Sequence, residues 1–245
     1  MKTISVLLIA GLLATSVTAI ADPLPGCVKW SQLPEMYEPW GYDVESNHDP
    51  DDNCPNVVVM DDWLCEDGLP ITDVHWWGSY FDPAFPITAF HVSIHWDIPE
   101  SGGIPSHPGD LIVAWNIPFE ECNETWHGVD YYGKDVYQYF CYLPEWFWQD
   151  IGEIYWLDIK AIVPGAVGPV WGWHTAVLPH NIDDAVVIYD YDQETGHYTD
   201  WEPLEWEYES LDMAFELTTI PEPATIAIIA FGAFGLAGII RRRKR

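Results

Sequence analysis

The run AFHVSIHWDI, residues 89–98, alternates without a break: Phe90, Val92, Ile94 and Trp96 fall on one side, His91, Ser93 and His95 on the other. A period of two belongs to an extended chain with one buried face, because successive side chains of a strand point to opposite sides. The same period puts Tyr155, Leu157, Ile159, Ala161 and Val163 inward with Asp158 and Lys160 outward, and aligns Met213, Phe215 and Leu217. Runs of β character recur at 57–65, 71–80, 89–98, 111–119, 135–143, 153–163, 170–176, 185–192 and 211–219, with Pro, Gly, Asp and Asn between them. Away from the ends no 3.6-residue repeat persists, and only PEWFWQDIG (144–152) could form a short helix. The pattern predicts an all-β domain over residues 57–219, an antiparallel β-sandwich of jelly-roll type. Residues 22–56, rich in Pro, Asp and Asn and without periodicity, read as an irregular acidic leader.

The two ends follow other rules. Residues 1–21 have Lys2, an apolar stretch from Ile4 to Val17 and an Ala19-Ile20-Ala21 exit, the layout of a cleaved signal peptide. Residues 224–240 form an uncharged segment, about 25 Å long as a helix and just sufficient to cross a bilayer. Arg241, Arg242, Arg243, Lys244 and Arg245 follow it and act as a stop-transfer cluster held on the cytoplasmic side. The sequence therefore predicts an exported domain with a C-terminal transmembrane helix and at least transient contact with the membrane.

Once these ends are set aside, the charge of the domain is extreme. Of the 39 acids only Glu222 lies in the tail, whereas Lys29, Lys134 and Lys160 are the only basic residues among positions 22–220. Such a surface has no basic patch for phosphates, which excludes nucleic acid as a partner, and it repels acidic polymers. Cations, neutral glycans and basic proteins remain.

The five cysteines all lie in the exported part, where disulfides are permitted. No Cys/His spacing suggests a metal site. Cys122 and Cys141 would face each other in a hairpin turning at Tyr131-Tyr132, which makes them the expected disulfide. His91 and His95 are too far apart on a strand to share one ion, about 13 Å, and read as surface residues. DPDDN (49–53) and DYDQETG (190–196) are oxygen-rich turns of the sort that hold calcium, although the second departs from an EF-hand loop at its glycine and at its twelfth position. Nucleophile-elbow, zinc-protease and phosphate-loop motifs are absent, and so many acids make any carboxylate pair uninformative. No catalytic residue is assigned, and the chain reads as a non-enzyme.

The 15 tryptophans all belong to the exported domain. Most are expected to supply core volume. In ITDVHWW, Asp73, His75 and Trp77 share the face opposite Val74 and Trp76, where an outward indole beside Asp and His is a stacking platform for a sugar, unless a loop caps it.

Ile220-Pro221-Glu222-Pro223, the apolar segment and the basic tail together resemble the PEP-CTERM protein-sorting signal of Gram-negative bacteria, which usually opens with Val-Pro-Glu-Pro. The same segment also goes by the name ice-binding protein C-terminal domain, a label that does not denote an activity. The resemblance implies recognition by an exosortase-type membrane processing enzyme and cleavage near Pro221, Glu222 and Pro223. It further implies an inner-membrane precursor and delivery to the cell surface or an exopolysaccharide matrix. The stretches DDWLCEDGLPITDVHWWGSYFD (61–82), IHWDIP (94–99), YWLDIKAIVP (155–164), VWGWHT (170–175) and DMAFELTT (212–219) are similar to a family of secreted planctomycete-type proteins of unknown function. That likeness implies a β-rich extracellular fold and carries no activity. The expected role is structural or adhesive, with a carbohydrate-binding module and a secreted hydrolase as alternatives.

Overall fold

The computed structural model describes residues 27–50, 57–179, 182–189, 200–207 and 209–219. The strands begin with β1 (Cys27–Gln32), β2 (Asp43–Glu45), β3 (Asn47–His48), β4 (Val57–Leu64), β5 (Ile71–Tyr80) and β6 (Ala89–Ile98). After β7 (His107–Pro118), a 3-10 turn at Phe119–Glu121 leads into β8 (Asn123–Val129) and β9 (Asp135–Phe147). The remainder are β10 (Ile154–Ile162), β11 (Trp171–His174), β12 (Val186–Tyr189), β13 (Asp200–Pro203), β14 (Glu205–Trp206), β15 (Glu209–Ser210) and β16 (Phe215–Thr219). The domain is all-β, and among the described residues no helix is long and apolar enough to cross a membrane. The signal peptide, the sorting motif, the segment 224–240 with its basic tail, and most of both calcium-like turns lie outside the described residues.

The strands make two seven-stranded sheets and one small hairpin. In the first sheet β5 is central: β9 flanks it on one side, followed by β8, while β16 and β11 share its other side and are themselves flanked by β1 and β2. The second runs β13-β12-β4-β10-β6-β7, with β3 set between β4 and β10. Every pairing is antiparallel except β3 against β10.

One apolar cluster draws on both sheets, with Val59, Phe90, Val92, Ile94, Leu157 and Ile159 from the second, and Val74, Trp76, Tyr139, Trp171, Trp173 and Phe215 from the first. Its centre is aromatic. Phe90 meets Trp76, Tyr139 and Trp171 edge-on at 4.9, 5.0 and 5.3 Å, and Trp76 stacks on Tyr139 at 5.6 Å. Such pairs contribute about 1 kcal/mol each beyond the area they bury. The buried indoles find acceptors where the fold offers them: Trp171 donates to the Tyr139 hydroxyl, Trp173 to the Ala214 carbonyl and Trp63 to Gln149. Tryptophan thus supplies core volume, as its abundance implied. Room for Trp171 depends on Gly78, where a Cβ would lie 2.4 Å from both the Gly172 carbonyl oxygen and the Trp171 ring.

Several expectations are corrected. Residues 27–50 are not an irregular leader, since β1, β2 and β3 pair with strands far along the chain and close both sheets. PEWFWQDIG does not form a helix, because β9 runs on to Phe147. Trp96 is half-exposed at the end of β6, leaning on Tyr155 at the rim of the core. His91, His95, Asp158 and Lys160, expected at the surface, are buried. The alternation itself is correct, but the far face of the second sheet holds an apolar cluster of its own, Val58, Met60, Trp156, Val186 and Ile188 with Trp201 against it. Both faces of that sheet are buried around β4, β10 and β6, a condition that a period of two cannot reveal. The disulfide joins Cys122 to Cys141 as expected, leaving Cys27 exposed and Cys65 buried as free thiols.

Candidate ligand-binding site

The face that carries Asp73, His75 and Trp77 is the outer face of the first sheet, and the structure divides it. Trp77 is only 2% exposed, covered by Met36, Val136, Ala176 and Ala214, with His127 edge-on at 5.7 Å. It is not a platform: the loop after β1 caps it. The other end remains open. There Ser31, Glu216, His75, Phe140 and Asn123 are successive cross-strand partners, and Thr218, Asp73 and Tyr142 make the next row. Phe140 lies 4.6 Å from His75 and 4.8 Å from Tyr142. Asp73 is held from below by the hydroxyls of Thr72 and Thr218, with His75 Nε2 at 3.4 Å. Burial pushes its carboxyl up, but the bonds from His75, Thr218 and Thr72 outweigh this and hold it below the usual range. The result is an exposed surface, aromatic and polar.

A concave site lies elsewhere. Pro39, Trp40, Leu178, Trp206, Glu207 and Glu209 line a cleft of about 400 Å³. One wall is the loop before β2, pinned by the Tyr132 hydroxyl donating to the Pro39 carbonyl at 2.6 Å and Thr175 donating to the Trp40 carbonyl at 2.7 Å. The other is the β14–β15 hairpin, whose Trp206 leans on Tyr42 at 5.6 Å. Glu207, at the hairpin turn, has φ 49°, and among the described residues it is the one non-glycine in that left-handed region. A carboxylate residue there costs about 1 kcal/mol that Gly would not. The Trp40 indole nitrogen is buried and makes no hydrogen bond. Two indoles and two carboxylates make a suitable lining for a sugar: aromatic planes take the C–H face of the ring and carboxylates accept from hydroxyls. Sequence reasoning missed this cleft because Trp40 and Trp206 sit outside the periodic runs and lie far apart along the chain. A usable signal was WEYE (206–209), an aromatic–carboxylate alternation too short to be a core strand.

Two buried polar groups resemble chemical sites. Ser93 Oγ lies 3.0 Å from both Asp158 and His95 Nε2, and His95 Nδ1 is 3.1 Å from the Gly109 carbonyl. This is a Ser, His and Asp set, yet none of the three has exposed surface, so no substrate reaches the hydroxyl. Lys160 is 3.6 Å from Asp158, and burial brings its ammonium down to about 8. In the second group, ligand atoms of Asp43, Asp130 and His174 lie within 4.8 Å of one another. Asp43 takes His174 Nδ1 and Lys134 Nζ, each at 2.9 Å, and Asp130 Oδ1 accepts the backbone N–H groups of Tyr132 and Lys134. His174 Nε2 is in turn 2.8 Å from the Glu35 carbonyl.

Residues 28–218 match the family described as domain of unknown function (DUF7901), and residues 219–244 match the PEP-CTERM protein-sorting motif. No curated protein and no solved structure matches the chain. The motif marks its bearer for exosortase-type sorting, so the protein is secreted, passing through the membrane toward the cell surface.

Proposed function

We propose that this chain, which belongs to the family described as domain of unknown function (DUF7901), is a non-enzymatic surface or matrix protein that adheres by holding a neutral glycan between Trp40 and Trp206. The observation that carries this reading is the cleft itself, aromatic on two sides and edged by Glu207 and Glu209. The charge of the domain agrees with it, because an uncharged polysaccharide is one of the few matrix polymers such a surface does not repel. The shared core of the two sheets supports a β-sandwich of jelly-roll type as the scaffold. In the precursor, residues 224–240 hold the chain in the inner membrane while Pro221, Glu222 and Pro223 are presented for cleavage by an exosortase-type enzyme. Exopolysaccharide is then the natural partner at the destination.

The test is a titration of the exported protein with neutral oligosaccharides, monitored by tryptophan fluorescence and calorimetry, alongside W40A and W206A. Binding that falls at least about tenfold in each variant supports the reading. Lack of binding to any neutral glycan sinks it, and release of reducing ends from the oligosaccharides would replace it with a hydrolase. Mass spectrometry of the mature C-terminus separately tests cleavage near Pro221.

A further inference from the structure

The first sheet ends on one side at β8, which among the described residues pairs with β9 alone. Its other edge is a row of backbone groups without a neighbouring strand, open to an approaching enzyme. Six of its seven residues are exposed. β8 opens with Asn123-Glu124-Thr125, and Asn123 is the one asparagine of the chain with Ser or Thr two residues later and no proline between. That tripeptide is the acceptor pattern for N-glycosylation, a modification carried on the surface of exported chains. The strand also turns it the right way. Residues two apart in a strand point to the same side, so Asn123 and Thr125 share the outer face with their partners Phe140 and Gln138. Glu124 turns aside and accepts from the Tyr80 hydroxyl at 2.6 Å.

The surface beside Asn123 suits a sugar. Phe140 lies directly opposite it, with Cβ atoms about 5 Å apart as in any such pair. The Phe140 ring continues into His75 at 4.6 Å and Tyr142 at 4.8 Å, and Tyr142 is exposed. A sugar linked to the Asn123 amide reaches over this neighbour, and an aromatic plane takes the C–H face of the ring. We propose that Asn123 is an N-glycosylation site and that the first sugar of its oligosaccharide rests on Phe140. In the transfer, the Asn123 amide nitrogen bonds to the anomeric carbon of a polyprenyl-pyrophosphate-linked oligosaccharide. The bond from that carbon to the pyrophosphate oxygen breaks, the pyrophosphate leaves with the electron pair, and one amide proton passes to a base of the membrane transferase. The site is separate from the Trp40–Trp206 cleft and stands whether or not that cleft binds a glycan.

The experiment uses the full exported protein purified from the cells that naturally make it. Tandem mass spectrometry of the peptide carrying Asn123 should show a sugar chain on that residue, lost in N123Q and in T125A and kept in T125S. Each of these positions is exposed, so the variants fold. In thermal unfolding N123Q should melt about 2–4 °C below the wild type, the shift that one aromatic contact gives a domain of this size. F140A should keep the sugar but close that gap, so that F140A and F140A/N123Q melt together. A bare Asn123 in the native protein overturns the proposal, as does a sugar that survives T125A. A gap as wide in the F140A background as in the wild type overturns the resting place on Phe140.

Discussion

Replacing Asp62, buried on β4, by Asn should stabilise the protein at neutral pH, by an amount that grows as pH rises. Burial first, then the charges of Asp183, Asp212 and Asp97, push the Asp62 carboxyl up to about 8 from an ordinary 3.8. Between those values the folded chain keeps a proton that the unfolded chain has released, so the wild type loses stability as pH rises through this window. Each pH unit is worth about 1.4 kcal/mol, and the loss accumulated from 3.8 to 7 is about 4 kcal/mol. The amide of D62N does not titrate. It adds N–H donors that face acids, and any donor left without an acceptor returns about 1 kcal/mol. Urea unfolding of both proteins in EDTA at pH 5, 6, 7 and 8 is the assay. The difference between the two curves reports Asp62 together with Asp61, whose carboxyl its charge also raises, because His91, His95, His174 and Lys160 contribute to both. That difference should rise by about 1.4 kcal/mol per pH unit up to pH 7 and level off above pH 8. A difference flat from pH 5 to 8 would mean that Asp62 is already ionised in the folded protein, and that burial among acids does not govern its carboxyl.

Other outcomes test the frame around it. Removing the disulfide as C122S/C141S opens a loop of 19 residues and should cost about 3 kcal/mol by denaturant unfolding. D43N leaves the His174 ring and the Lys134 ammonium without their anion and should cost about 3 kcal/mol. Burial alone would lower His174, but the bonds and charge of Asp43 raise it, while the Asp43 carboxyl is held low, so this pair's stabilisation is complete between about pH 4 and 6.5 and is lost as pH rises from there through the raised value. In D43N an NMR titration of His174 should move downward. G78A forces a methyl against the Gly172 carbonyl and Trp171 and should cost about 3 kcal/mol in thermal unfolding.

The strands with strict alternation were legible because each reports its own burial locally. Phe90, Val92 and Ile94 face the core where the period of two places them. What was not legible depends on chain brought in from elsewhere. β2 and β3 are two or three residues long and owe their existence to pairing with β11 and β10, and β1 owes its own to β16. Alternation assigned His91 and Asp158 to the opposite face correctly, but it has no term for whether that face meets water. Trp77 shows the same limit, since Met36 and Ala214 cover it from distant parts of the chain. The cleft lay further out of reach, because its two indoles belong to segments without periodicity.

The pairing of β1 with β16, in which Cys27 faces Thr219, has a consequence for timing. An exported chain crosses the membrane N-terminus first, so β1 reaches the outside early and waits without a neighbour while almost the whole domain follows. Its partner is the last strand to emerge, and the sorting motif comes immediately after. Completion of the fold and exposure of the processing signal are thus nearly one event. The last strand acts as a clasp, and a cargo that has not closed it would present its tail from a loose chain.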